Sequence, residues 1–237
     1  MSLSWSTLVL ALLAAVAAGP VPARAWEAAA HAELADPARW EPDIVAFERA
    51  DAERPPAPGG VLFVGSSSIR MWPSLATDFP GVAALNRGFG GSRVRDATYY
   101  AERIVAPYRP RAIVFYAGDN DLAEGRTPRQ VRDDFAAFVA KTRRLAPRAR
   151  IAFVSIKPSP SRAALMPAMR QANALVRAWA ERQADVDYLD VFTPMLDAQG
   201  QPRRELFLGD ELHMNESGYA IWSAVVRAWL AGLPPRR

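Results

Sequence analysis

The chain has 237 residues, 50% of them hydrophobic, with a formal net charge of +4 and no cysteine. That length fits one α/β domain with a large core, and the missing cysteines exclude disulfides, thiolate nucleophiles and thiolate metal sites. The positive charge comes almost entirely from arginines scattered without a run, which gives no nucleic-acid footprint, and two histidines, His31 and His213, are too few for a multi-histidine metal centre.

Leu8 to Ala18 is an apolar run of about 11 residues, too short to span a bilayer and suited to a secretory leader. Gly19-Pro20 breaks it, and Ala23-Arg24-Ala25 supplies the small residues that a signal peptidase reads. Residues 1–25 are therefore expected to be a signal peptide cleaved after Ala25. The product would be periplasmic or secreted, with no stable membrane span after cleavage. Met1 to Ser6 lacks Lys and Arg, so a retained tether is the competing reading. Residues 26–59 read as a lead-in. Trp40 to Ala52 has helical spacing at Ile44, Val45, Phe47 and Ala50, and a Pro/Gly linker follows from Arg54. The main domain is expected over 60–232.

Val61-Leu62-Phe63-Val64 reads as a short strand buried on both faces. Val82 to Leu85 is expected as the second strand, with Asn86 to Ser92 as its loop. Asp96 to Val105 looks helical. Ala112 to Ala117 is the third strand, ended by Gly118-Asp119-Asn120-Asp121. Thr127 caps a helix to Leu145, with Pro128 at the first helical position. Ile151 to Ile156, Ala163 to Arg182 and Val186 to Val191 continue the alternation. Asn215 to Leu230 closes it as a helix, with Tyr219, Ile221, Trp222, Val225 and Trp229 facing inward. Strands alternating with helices make parallel β-α units. The fold class is α/β, a flavodoxin-like three-layer α/β/α sandwich whose five-stranded parallel sheet is ordered 2-1-3-4-5. In that order the polar loops after strands one, two and three open onto one crevice.

Four short blocks carry chemistry: Gly65-Ser66-Ser67, Gly88-Phe89-Gly90-Gly91, Gly118-Asp119-Asn120-Asp121 and Asp210-Glu211-Leu212-His213. An Asp three residues before a His can hold the ring in one tautomer, leaving the other nitrogen to take a proton from a hydroxyl. Serine needs such a base to act as a nucleophile. Glycine backbone and the Asn120 amide offer N–H donors for a developing oxyanion. Each block also has an ordinary alternative: a capping turn for the serines, a tight β-α turn for the glycines, an αL residue for Asn120, a surface site for His213. A dinucleotide fingerprint fails because Arg93 stands where the third glycine belongs.

In order and residue type the four blocks resemble the SGNH hydrolase superfamily, the GDSL-type esterases and lipases, over about Gly60 to Leu230. The resemblance implies a serine esterase. Ser67 would be the nucleophile, two positions after the block's glycine. His213 would be the general base and Asp210 its orienting partner. The oxyanion hole would be the Ser67 N–H, Gly91 (Gly90 as fallback) and Asn120. Ser66 stands where the family usually has Asp, and Met214 where many members have Pro after the histidine, a change expected at the pocket rim. Ile69 in place of a second glycine speaks against a Gly-x-Ser-x-Gly elbow.

The expected partner is a small-molecule ester. Relatives act on thioesters, phospholipids, short aryl esters and acetylated sugars. With no long lid insertion between the elements, a short acyl or acetyl group is preferred. Lys157-Pro158-Ser159-Pro160 is expected to line one wall. Arg70 and Trp72 are candidates for the cleft, with a core role open for Trp72. Nothing calls for a cofactor or a metal ion. The competing readings are a non-catalytic ligand-binding module on the same fold and a phosphate-binding flavodoxin-like protein.

Overall fold

The computed structural model describes residues 36–233. The expected leader, its cleavage point after Ala25, and His31 lie outside the described residues. Chain order runs α1 (Glu41–Glu53), β1 (Val61–Gly65), α2 (Ser67–Arg70), β2 (Ala84–Gly88), α3 (Val94–Tyr99), β3 (Ala112–Tyr116), α4 (Asp119–Ala123) and α5 (Pro128–Leu145). It continues with β4 (Arg150–Val154), α6 (Met166–Ala180), β5 (Val186–Leu189) and α7 (Glu216–Ala231). The sheet is parallel throughout and ordered β2-β1-β3-β4-β5.

Central strands explain the unbroken apolar runs. β1 and β3 are buried along their whole length, because helices cover both faces of the sheet. Successive side chains divide between two cores with the period of a strand. Leu62, Val64, Ile113, Phe115, Ile151 and Phe153 face α1, α3, α5 and α6. Val61, Phe63, Ala112, Val114, Ala152 and Val154 face α2 and α7.

Helix α5 starts where its residues dictate. Thr127 accepts from the Gln130 N–H at 3.3 Å, and the Gln130 side chain accepts from the Thr127 N–H at 2.9 Å. Such a cap is worth about 1 kcal/mol. Val131, Phe135, Phe138, Val139 and Thr142 then form its buried stripe, and the Phe138 ring lies 4.4 Å from that of Phe115. On the other face, α7 buries Tyr219, Trp222, Val226 and Leu230. Ile221, Val225 and Trp229, expected inward, are only partly buried at the margins of that core.

The fourth and fifth strands end two residues sooner than expected, at Val154 and Leu189, and three other boundaries differ for physical reasons. The second strand begins at Ala84 and runs through Asn86 and Arg87 to Gly88, instead of ending at Leu85. Those polar residues stay in an edge strand because partners outside the ladder satisfy them. Asn86 donates to the Ile69 carbonyl at 2.6 Å, while Arg87 donates to the Tyr108 hydroxyl at 2.8 Å and pairs with Asp51. The helix expected over Asp96 to Val105 starts earlier, at Val94, where Asp96 accepts from the Arg93 N–H at 2.9 Å, and is interrupted at Tyr100. The helix expected from Ala163 begins as a 3-10 turn over Pro160–Leu165 and becomes α-helical only at Met166.

The lead-in helix is packed onto this sandwich. Ile44 is fully buried, Glu41 and Glu48 hold Arg103, and the Trp40 ring meets Phe89 edge-on at 5.8 Å.

Candidate active site

The carboxyl ends of β1, β2 and β3 deliver their loops to one place, as the strand order requires. Gly65 ends β1 with φ +145°, and a Cβ there would sit 1.8 Å from the Tyr116 carbonyl oxygen. Only glycine lets the two backbones approach this closely. Ser66 follows in extended conformation and Ser67 opens α2. The Ser66 and Ser68 hydroxyls are buried without hydrogen-bond partners, whereas Ser67 is half-buried.

The loop before α7 brings His213 to that hydroxyl. The His213 Nε2 lies 2.9 Å from Ser67 Oγ, across 146 positions of sequence. Its Nδ1 lies 2.5 Å from Asp210 Oδ2. The other carboxylate oxygen, Oδ1, accepts from the Leu212 N–H at 3.0 Å and the His213 N–H at 2.9 Å. Desolvation works to raise the Asp210 carboxyl, but the bonds from the His213 ring and from these two backbone N–H groups outweigh it and bring it to about 2. The carboxylate is thus ionised and aimed at the ring. The loop is held in turn by the Leu208 N–H on the His213 carbonyl at 2.8 Å, and by the Ser161 N–H and hydroxyl on the Glu211 carbonyl at 3.1 and 3.0 Å.

The glycine loop and α4 complete the surroundings. Gly91 has φ +72°, the left-handed region, and the Trp40 ring covers the place where its Cβ would be, at 3.3 Å. Gly90 lies under the Arg70 guanidinium, 2.8 Å from where its own Cβ would stand. Asn120 donates from Nδ2 to the Ser92 carbonyl at 3.1 Å and accepts on Oδ1 from Arg162 at 2.9 Å. Among the described residues, the backbone N–H groups of Ser67 and Gly91 have no protein acceptor. At the carboxyl end of the sheet Ser67, His213 and Asp210 thus form one hydrogen-bonded series, and Gly91 and Asn120 lie on the loops after the two neighbouring strands, joined to the β1 end through Ser92. A hydroxyl, an imidazole and a carboxylate in hydrogen-bonded series there are the chemistry of a serine-hydrolase-type site.

Several wall residues lie elsewhere than expected. Lys157 is 1% exposed, and Pro158 and Ser159 are buried too, so only Pro160 onward reaches the surface. The cause is an ion pair: Lys157 Nζ lies 3.4 Å from Asp119 Oδ2, which Arg162 also faces at 3.2 Å. Burial works to raise Asp119, but Lys157 and Arg162 hold it below the usual carboxylate range. Trp72 is a core residue, stacked on Tyr219 at 5.1 Å with its Nε1 donating to Asp78 at 2.7 Å. Met214 is 2% exposed within the same core rather than at the rim, because the strand-like contact of Phe207 with Met214 turns it inward. Arg70 is exposed beside Gly90. Trp40 and Arg162 were not foreseen, and Asp119 and Asp121 were given no role of their own. Nothing local marked Trp40 or Arg162, whose contacts with Gly91 and Asn120 join distant segments. Among the described residues no cluster of acidic and histidine side chains could hold a metal ion, and no helix is long and apolar enough to cross a membrane.

The chain belongs to the GDSL-like lipase/acylhydrolase family, whose model matches residues 60–221. It is a hydrolase acting on ester bonds. Solved structures of this fold include a candidate platelet activating factor from Streptococcus pneumonia, at TM-score 0.71 and 20% identity, with 89% of this chain and 100% of that one covered. A GDSL-like lipase from Bacteroides thetaiotaomicron aligns at TM-score 0.67 and 18% identity, over 79% of this chain and 97% of the other. An acetylxylan esterase from Geobacillus stearothermophilus, as a catalytic mutant, aligns at TM-score 0.58 and 16% identity, over 75% and 96%. No curated protein matches the sequence.

Proposed function

We propose that the chain is a serine esterase acting on short acyl or acetyl esters of a small molecule. The observation that carries this reading is the continuous series from Asp210 through His213 to Ser67, at 2.5 and 2.9 Å. In the first half of the reaction Ser67 Oγ attacks the ester carbonyl while its proton passes to His213 Nε2. Asp210 keeps the remaining ring proton on Nδ1 and stabilises the imidazolium. The carbonyl oxygen, now negative, is met by the N–H groups of Ser67 and Gly91 and by Asn120 Nδ2. His213 returns its proton to the departing alcohol. Water then gives a proton to the same nitrogen and attacks the acyl-enzyme, which releases the acid and restores the hydroxyl.

Preference for a small acyl group rests on the sequence, which places no long lid insertion between the elements. The name of the acetylxylan esterase relative points the same way. Ser67→Ala is expected to reduce turnover of a short aryl ester to background and to abolish labelling by a fluorophosphonate probe. Full activity in Ser67→Ala, with loss in Ser66→Ala or Ser68→Ala, would move the nucleophile. An unlabelled wild-type chain that binds esters without turnover would favour the non-catalytic module. An acyl-chain-length series on purified protein tests the substrate class.

The proposed layout is a leader over 1–25, a lead-in over 26–59 and the hydrolase domain over 60–232, with export to the periplasm or medium. Support comes from the apolar run and the Ala-Arg-Ala site. N-terminal sequencing of the exported protein should begin at Trp26, and a start at Met1 would overturn it.

A further inference from the structure

We propose that Arg162 is a positioning residue of the oxyanion hole, which fixes the side-chain amide of Asn120 so that its Nδ2 faces the reacting carbonyl. This rests on the serine-esterase reading.

A primary amide has two ends of similar shape and opposite hydrogen-bonding character. Turned through 180°, Asn120 would offer an oxygen, and so repulsion, to an oxyanion. Its orientation is decided by what meets each end. On one side the Ser92 carbonyl, which can only accept, takes one Nδ2 hydrogen at 3.1 Å. On the other, Arg162 Nη2 donates to Oδ1 at 2.9 Å. A guanidinium has no acceptor, so the turned amide would set N–H against N–H there and oxygen against oxygen at Ser92. The second Nδ2 hydrogen is left for substrate.

Arg162 is itself held in place. Its backbone sits at the kink of the Pro160–Leu165 turn, with φ −118° and ψ 24°. Next to it, Ser161 ties that turn to the Glu211 carbonyl in the His213 loop. Arg162 Nη1 faces Asp119 Oδ2 at 3.2 Å as an ion pair without hydrogen-bond geometry, and Lys157 approaches the same oxygen at 3.4 Å. Two cations thus share the Asp119 carboxylate behind Asn120. Donation into Oδ1 also draws electron density from Nδ2, which makes its N–H a better donor. The same guanidinium therefore orients the amide and strengthens it.

The test uses the full chain with Arg162→Ala, Arg162→Lys, Asn120→Ala and the Asn120→Ala/Arg162→Ala pair. Arg162→Ala should lower kcat on a short aryl ester by about 10- to 100-fold with KM within about 3-fold, a loss in the transition state and not in ground-state binding. In the Asn120→Ala background the same change should cost less than about 2-fold, because its target is gone. Arg162→Lys keeps a charge for Asp119 without the planar donor. It should be as slow as Arg162→Ala while melting close to wild type, which separates positioning from folding. Independently of activity, the Asn120 side-chain N–H pair, identified in 15N spectra by its loss in Asn120→Ala, should shift and broaden in Arg162→Ala. Unchanged kcat, an additive double variant, full activity in Arg162→Lys or an unmoved Asn120 signal would each overturn the inference. A wild-type chain inactive on every ester would sink the esterase reading instead, and the spectra would still decide the role of Arg162.

Discussion

Replacing Asp210 by asparagine and by alanine separates two jobs of its carboxylate. One is attraction to the imidazolium; the other is the choice of ring tautomer. The Asp210 carboxyl is held at about 2 against an ordinary 3.8, so its favourable contacts are in force above about pH 4 and fade only as pH falls through about 2. Taken at face value that depression is about 2.5 kcal/mol, and with the side chain half exposed solvent screening reduces it to about 1 kcal/mol. Losing this attraction, together with some freedom of the ring, should slow Asp210→Ala by about 10- to 100-fold. Water can fill the gap and accept from Nδ1, so the working tautomer survives. Asparagine is worse. Its Oδ1 still accepts from the Leu212 and His213 N–H groups, which pins the amide with its NH2 toward the ring. Nδ1 must then accept, Nε2 carries the proton, and Ser67 meets a donor where it needs a base. Asp210→Asn should therefore lose about 10³- to 10⁴-fold in kcat. Both variants should keep the wild-type circular dichroism. Steady-state rates on a short aryl ester near pH 8 decide the matter: an asparagine variant as fast as the alanine variant, or faster, refutes the tautomer argument.

Two further outcomes follow from the same geometry. Asn120→Ala should lower kcat by about 10²- to 10³-fold with little change in KM, the loss of one oxyanion donor, and a rise in KM alone would show that Asn120 only binds substrate. Asp121 concerns stability. Burial raises its carboxyl to about 7, assisted by the nearby Asp134 and Asp119 and opposed by the Val94 N–H. The folded chain then keeps a proton that the unfolded chain releases, so stability should fall as pH rises from about 4 to about 7, by at most about 4 kcal/mol. Asp121→Asn keeps an acceptor for Val94 and should flatten that slope in thermal melts. A variant whose melting temperature stays parallel to wild type across this range would contradict it.

Much of this architecture was legible in short stretches of chain. Val61 to Val64 and Ala112 to Tyr116 announce central strands because four or five consecutive apolar residues have no solvent face to give up. Thr127, Pro128 and Gln130 announce the start of α5 because capping is settled within one helical turn. Ser67, Gly91, Asn120, Asp210 and His213 became candidates only through the resemblance of the four blocks, in order and residue type, to the SGNH hydrolases, since each block alone also reads as an ordinary turn or cap.

Where a residue depends on a distant partner, local pattern was a poor guide. Asn86 and Arg87 look like loop residues until Ile69, Tyr108 and Asp51 are seen to satisfy them at the sheet edge. Lys157 looks like a surface lysine until Asp119, 38 positions away, is found beneath it. Trp40 against Gly91 and Arg162 on Asn120 likewise join segments that only the packed helices bring together.

By itself, then, the sequence determined the order of strands and helices, the strand that ends in the serine turn, and the residue types at the carboxyl end of the sheet. Periodicity, capping and turn preference act over a handful of bonds and need no fold to be read. Only the tertiary structure decided that Ser67 and His213 meet, that Lys157 is buried and that Trp40 and Arg162 border the site. Those contacts depend on how the parallel sheet twists and how its crossovers pack, which no short window of residues contains.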